Sequence, residues 1–113
     1  LTLLLQQKGY QVAHLGRKGG EKNGVITHPW DPAQSLLDPK VLEGVDHVIH
    51  LAGAGVADKT WTTARKHVIR NSRTQSTKLL VDAIDYLPKK PKTLISASAI
   101  GFYGNAGKIL CVE

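Results

Sequence analysis

Two apolar segments that each run into small residues, with one long helical pattern between them, constrain this chain more than any other feature. The later segment is Thr93-Leu-Ile-Ser-Ala-Ser-Ala-Ile-Gly-Phe-Tyr-Gly104. Leu94 and Ile95 supply a buried-strand run, and Ser96, Ala97, Ser98 and Ala99 then leave room for a ligand against the strand end. Gly101 and Gly104 punctuate the exit. The earlier segment, Asp46-His-Val-Ile-His-Leu-Ala-Gly-Ala-Gly55, has the same build. Strands joined through a helix pair in parallel, and open parallel sheets bind ligands beyond the carboxyl ends of their strands. The pattern therefore predicts half of a dinucleotide-binding enzyme, with substrate or nicotinamide at these two strand ends.

The rest of the chain fits an α/β order. Thr2 to Lys8 reads as the last turns of a helix stopped by Gly9, and Tyr10 to Leu15 as a strand. Gly19-Gly20 reads as loop, Val25 to His28 as a short strand, and Trp30-Asp31-Pro32 as a turn leading into a short helix. Leu36 to Leu42 is apolar but broken by Pro39, and Asp46 to Leu51 is the next strand. A helix is predicted from Thr60 to Tyr86, with an apolar stripe of Trp61, Ala64, Val68, Leu79, Leu80, Ala83, Ile84 and Leu87. Pro88 and Pro91 end it, and Thr93 to Ser98 is the final strand. Right-handed crossovers make this a doubly wound parallel sheet. In such a sheet a first strand lies between those at Tyr10 and Asp46, and none is visible. Its absence would leave unpaired backbone on both sides. Residues 1–113 are thus expected to be a partial domain, lacking that strand and a C-terminal part.

The chain of 113 residues is 42% hydrophobic, enough for one small domain with a core. Its single cysteine, Cys111, excludes an internal disulfide framework and fits a reducing, cytoplasmic setting. No apolar run is long enough to span a bilayer, and Leu1 to Leu5 lacks the flanks of a signal peptide. The net charge is +6. Lys59, Arg65, Lys66, Arg70, Arg73 and Lys78 lie along the long helix, with Lys89, Lys90 and Lys92 after it. Aromatic residues do not interleave with them as a stacking platform requires, so the charge reads as a solvated, cofactor-attracting surface and no nucleic-acid partner is expected.

Arg17 follows the strand ending at Leu15, where dinucleotide folds read the adenosine ribose. An acidic residue there binds a 2′-hydroxyl, whereas arginine accommodates a 2′-phosphate. Arg17 and Lys18 are both basic, which points to NADP over NAD. Gly53 and Gly55 let backbone approach a cofactor closely. Ser98 is the catalytic candidate: a hydroxyl at this strand end can polarise a substrate carbonyl or alcohol during hydride transfer, and Ser96 points to the same face. Tyr103 has no lysine four residues later, since position 107 is Gly107, and is read as a binding or structural residue. His47 and His50 face opposite ways on one strand, the other histidines are scattered, and no metal site is expected.

Four segments together resemble a known family. They are His50-Leu-Ala-Gly-Ala54, Asp58-Lys-Thr-Trp-Thr62, Ile69-Arg-Asn-Ser-Arg-Thr-Gln-Ser-Thr-Lys-Leu-Leu-Val-Asp-Ala-Ile84, and Leu94 to Gly104, with Trp30-Asp31-Pro32 fitting as well. They are similar to the sugar-nucleotide-epimerase-like branch of the extended short-chain dehydrogenases, also called NAD-dependent epimerase/dehydratase proteins. The resemblance implies a Rossmann fold binding NADP(H) and a site built around Ser, Tyr and Lys. It makes Ser98 the catalytic serine, lines the adenosine and ribose path with Leu51, Ala52 and Gly53, and brings Ser96 and Ala97 to the nicotinamide. Arg73 stands where many members carry an asparagine near the cofactor. The glycine-rich loop would precede Leu1, and the Tyr-x-x-x-Lys pair and substrate domain would follow Gly104. The expected parent is an NADP(H)-dependent oxidoreductase or epimerase-like enzyme, with residues 1–113 alone inactive. Its substrate is a small molecule, nucleotide sugars among the candidates, and the long helix offers a homodimer contact. The alternative is a non-catalytic NADP-binding or sensor protein on the same fold.

Overall fold

The computed structural model describes residues 1–55 and 59–97. Its elements run α1 (Thr2–Gln7), β1 (His14–Gly16), β2 (Gly20–Lys22), β3 (Val25–Asp31), a 3₁₀ turn (Pro32–Gln34), β4 (Leu36–Leu37), a second 3₁₀ turn (Pro39–Leu42), β5 (His47–His50), α2 (Thr63–Tyr86) and β6 (Thr93–Ser96).

The strand–helix–strand unit forms as its pattern requires. β5 and β6 pair in parallel, with Val48 opposite Leu94 and His50 opposite Ser96. The ladder continues at both ends, where Lys92 N donates to Asp46 O at 2.7 Å and Ala97 N to His50 O at 3.0 Å. β1 also pairs in parallel, with β3. The two parallel pairings carry the expected α/β character.

Other parts differ from expectation. β1 begins at His14 because only Thr27 to Pro29 of β3 reach it, so residues 10–13 join no ladder. Gly20 is strand, not loop: β2 pairs antiparallel with β3 across a two-residue turn. Asn23 and Gly24 both have positive φ, 52° and 74°, the backbone of a tight hairpin whose twist matches its strands. β4 is a further antiparallel partner of β3. The two Asp-Pro pairs each start a 3₁₀ turn: Asp31 accepts from Ala33 N and Asp38 from Lys40 N, both at 3.0 Å. α2 begins at Thr63 instead of Thr60, because the Thr62 hydroxyl accepts from Arg65 N at 3.1 Å and caps it.

Among the described residues the strands form two separate sheets, β1–β3–β2 with β4, and β5–β6. They meet through side chains. Trp30 of β3 sits edge-on to His50 at 6.1 Å between ring centroids, and Tyr10 edge-on to His47 at 6.2 Å. Beneath them Trp30, Leu37, Leu42, Leu80, Ala83 and Leu87 form one buried cluster. It takes Leu80, Ala83 and Leu87 from the last turns of α2, whereas Trp61 and Val68 of the expected stripe are about half exposed. Ile49 and Ile95, partners in the β5–β6 ladder, are exposed, while the neighbouring Val48 and His50 are buried. No described helix is long and apolar enough to cross a membrane.

Candidate functional site

The inward stripe of α2 is continuous but changes chemistry along its length. Arg65, Ile69, Ser72, Arg73, Ser76, Leu80, Ala83 and Leu87 recur at three- and four-residue intervals, so they share one face. The C-terminal half of that face fills the core. The N-terminal half is polar and meets the segment leaving β5.

Four side chains of that half make the contacts. Ser76 Oγ lies 3.0 Å from His50 Nε2 and donates to Arg73 O at 3.0 Å. A carbonyl only accepts and a hydroxyl has one proton, so this assigns the His50 contact to Nε2–H donating to Ser76. Ser72 Oγ accepts from Ala54 N at 2.9 Å and donates to Ile69 O at 2.8 Å. Arg73 Nη1 donates to Ala54 O at 3.3 Å and to Ile69 O at 3.2 Å, and Arg65 Nη2 to Gly55 O at 2.6 Å. The residue types are ordinary for an exposed helix face, so the sequence reading missed Arg65, Ser72 and Ser76. Their common spacing with Leu80 and Ala83 was the available signal.

His50 and Ser76 are both buried, at 5% and 1% exposure. Burial pushes the His50 imidazole below its ordinary pKa of 6.5. The unfolded chain therefore binds more protons than the native one between that lowered value and 6.5. Stability is full above about pH 6.5 and falls as pH drops, until the native imidazole is itself protonated. Thermal melts at pH 7.5 and pH 5.5 should show the loss, and His50→Gln should flatten it. An unchanged pH slope in that variant would remove His50 as the cause.

The structure brings most of the sequence-predicted positions together. Leu51, Ala52 and Gly53 leave β5 beside Ser96 and Ala97 leaving β6, all exposed and, apart from Leu51, small. Arg73 lies against Gly53: a Cβ there would stand 3.1 Å from its guanidinium carbon. Arg17 belongs to the other sheet. β1 and β2 flank β3 on opposite sides, so Arg17-Lys18-Gly19 crosses the strand tightly. A Cβ at Gly16 would come 2.8 Å from Thr27 Cγ2, and one at Gly19 3.3 Å from Pro29 Cδ. Arg17 and Lys18 are exposed on that crossing. Ser98, Tyr103 and Cys111 lie outside the described residues. Among the described residues no group of three His, Cys, Asp or Glu side chains could hold a metal.

Parallel strand ends with small residues, a crossover helix, and a polar face bracing the exit loop define a Rossmann-like α/β domain. The family model described as NAD dependent epimerase/dehydratase matches residues 1–111, and the chain belongs to that family. An epimerase family protein of Mycobacterium bovis is 35% identical over 105 residues, covering 93% of this chain and 34% of the relative. One from Staphylococcus aureus is 42% identical over 71 residues, 63% of this chain and 23% of the relative. The crystal structure of human epimerase family protein SDR39U1 (isoform 2) with NADPH superposes with a TM-score of 0.69 at 26% identity, over 90% of this chain and 32% of that one. The chain thus spans about a third of the length of the M. bovis relative and of the human structure.

Proposed function

We propose that this chain is the cofactor-binding part of an NADP(H)-dependent oxidoreductase or epimerase-like enzyme that transfers hydride at a carbonyl or alcohol carbon of a small molecule. The observation that carries the reading is the juxtaposition of two parallel strand ends, His50 opposite Ser96, with small exposed residues beyond both. The surface suits a flat dinucleotide, because Ala52, Gly53, Ser96 and Ala97 put no bulky side chain in its way. The NADPH in the related human structure supports the choice of cofactor. That cofactor would supply the hydride. Leu51, Ala52 and Gly53 would line its adenosine and ribose, and Ser96 and Ala97 would face the nicotinamide. The Ser98 hydroxyl would hydrogen-bond the substrate oxygen and polarise it.

Among the described residues β1 and β5 each have one unpaired edge, which favours one further strand between them that would join the two sheets and satisfy both edges. We therefore read residues 1–113 as a partial Rossmann domain in a cytoplasmic protein. The intact mass of the purified natural protein tests this, and a mass of 12.2 kDa would refute it. Nucleic acid is a poor fit as partner. Of the eight basic residues on and after the long helix, Arg65 and Arg73 bond to loop carbonyls, and Lys78, Lys90 and Lys92 pair with Asp82, Asp85 and Asp46. No uninterrupted phosphate-tracking row is left.

Fluorescence titration of the intact protein with NADPH and NADH tests the cofactor reading. NADPH should bind more tightly. Charge-assisted hydrogen bonds of about 1.5–3 kcal/mol correspond to roughly a 10- to 150-fold preference. Arg17→Ala should remove most of that preference and leave NADH affinity unchanged. Equal loss for both cofactors would take Arg17 away from the 2′-phosphate.

A further inference from the structure

The segment proposed to meet the adenosine and ribose has little of its own to hold it. Residues 51–55 leave β5 without joining any helix or strand, and Leu51, Ala52 and Gly53 are exposed. Among the described residues, the side-chain hydrogen bonds that hold them come from α2. Ala54 is held at both backbone groups: its N–H donates to Ser72 Oγ, and its carbonyl accepts from Arg73 Nη1. Both side chains are in turn fixed to the same helical carbonyl, Ile69 O, at 2.8 Å and 3.2 Å. The guanidinium also lies against Gly53, with Cζ 3.1 Å and Cγ 3.3 Å from where a Cβ would stand.

We infer that Arg73 is a positioning residue: with Ser72 it fixes the backbone of residues 53–55 in the shape that receives the dinucleotide, and it acts through that backbone instead of binding a phosphate itself. Three features carry this. Arg73 Nη1 is engaged by two carbonyls, one on the helix and one on the loop, which is a brace across the gap between them. The planar guanidinium is pre-organised for such a bridge, so less side-chain freedom is lost per hydrogen bond than with the flexible stem of a lysine. Arg73 is also partly buried, between the loop and its own helix. A pre-shaped loop lowers the ordering cost of binding, so its loosening appears as lost affinity.

The inference rests on the proposed cofactor, so its test includes a measurement that needs no cofactor. Amide hydrogen exchange is followed in the intact protein without NADPH, and NADPH affinity by fluorescence titration, for Arg73→Met, Arg73→Lys and Ser72→Ala. In Arg73→Met the Ala54 amide should exchange roughly tenfold faster or more, with the amides of Leu80 and Ala83 unchanged, because only the loop is released. NADPH affinity should fall by roughly tenfold or more. Arg73→Lys should recover part of both effects. Ser72→Ala, which leaves the Arg73 charge in place, should also speed exchange at Ala54 and weaken binding. Weaker binding with exchange at Ala54 unchanged would overturn the inference and make Arg73 a direct ligand. Faster exchange with unaltered affinity would overturn it as well. Failure of the wild-type protein to bind NADPH would sink the proposed cofactor, while exchange alone would still decide whether Arg73 holds the loop.

Discussion

Ser98→Ala in the intact protein is expected to lower turnover by roughly 10²- to 10⁴-fold, with NADPH affinity largely kept. That range corresponds to about 2.7–5.5 kcal/mol of transition-state stabilisation. The asymmetry follows from placement. Ser98 is two residues beyond Ser96, the last residue of β6, on the carboxyl side where a parallel sheet presents its ligands. In the proposed mechanism a hydroxyl there would act on the substrate oxygen, whose charge changes during hydride transfer, and would contribute little to holding a cofactor along the residues after β5. Ser96→Ala is the control. It precedes Ser98 by two residues and is assigned to the nicotinamide, not to the substrate oxygen, so its removal should change turnover far less. Single-turnover measurement with NADPH separates the effects, since a slower chemical step with an unaltered binding isotherm is the expected signature. Unchanged turnover in Ser98→Ala would remove that hydroxyl from the mechanism. Intact NADPH binding without any turnover in the wild type would favour the sensor alternative.

The C-terminal half of the fold was legible because its signals are local and repeated. Apolar runs stopped by small residues mark β5 and β6, and Pro88 and Pro91 end α2 close to where the sequence places its end. The first half was harder. β3 serves three neighbours at different points along its length, so the run from Tyr10 shows more strand than the three residues that find a partner. Asn23-Gly24 is the strongest short hairpin signal in the chain, yet attention to Gly19-Gly20 read the region as loop and missed β2. The small residues Ala52, Gly53 and Ala97 were legible as a gap in side chains beyond the strand ends, where the structure leaves them exposed, whereas the bracing beside them was not legible. A helix face of Arg65, Ser72, Arg73 and Ser76 reads as solvent-facing by composition. Only the loop's carbonyls and the His50 ring show that it faces inward. The strand period did place His47 and His50 on opposite faces, but not that His50 alone would be buried.

The apolar stripe read from the sequence treats Val68 and Leu80 alike, and the structure separates them sharply. Leu80→Ala should cost about 2–5 kcal/mol, because Leu80 is 2% exposed at the centre of a six-residue cluster and its loss leaves a cavity. Val68→Ala, at a side chain 49% exposed, should fall within about 1 kcal/mol. The first cost is a large share of the roughly 5–15 kcal/mol that holds a domain together. It should lower the melting temperature by roughly 10 °C or more. Ala83 and Leu87 lie one and two turns further along the same face, so truncating either alongside Leu80 should give non-additive losses, as expected for neighbours that share one cavity. Denaturant melts of the Val68 and Leu80 variants check the contrast. Equal, large losses would mean that the N-terminal half of α2 is covered in the intact protein. Sedimentation of Val68→Asp would then ask whether the cover is a second copy of the chain, since a charge at a buried helix–helix contact dissociates it. Loss at Leu80 alone confines the core to the last turns of α2 and leaves the preceding turns to the loop that Arg65, Ser72 and Arg73 hold.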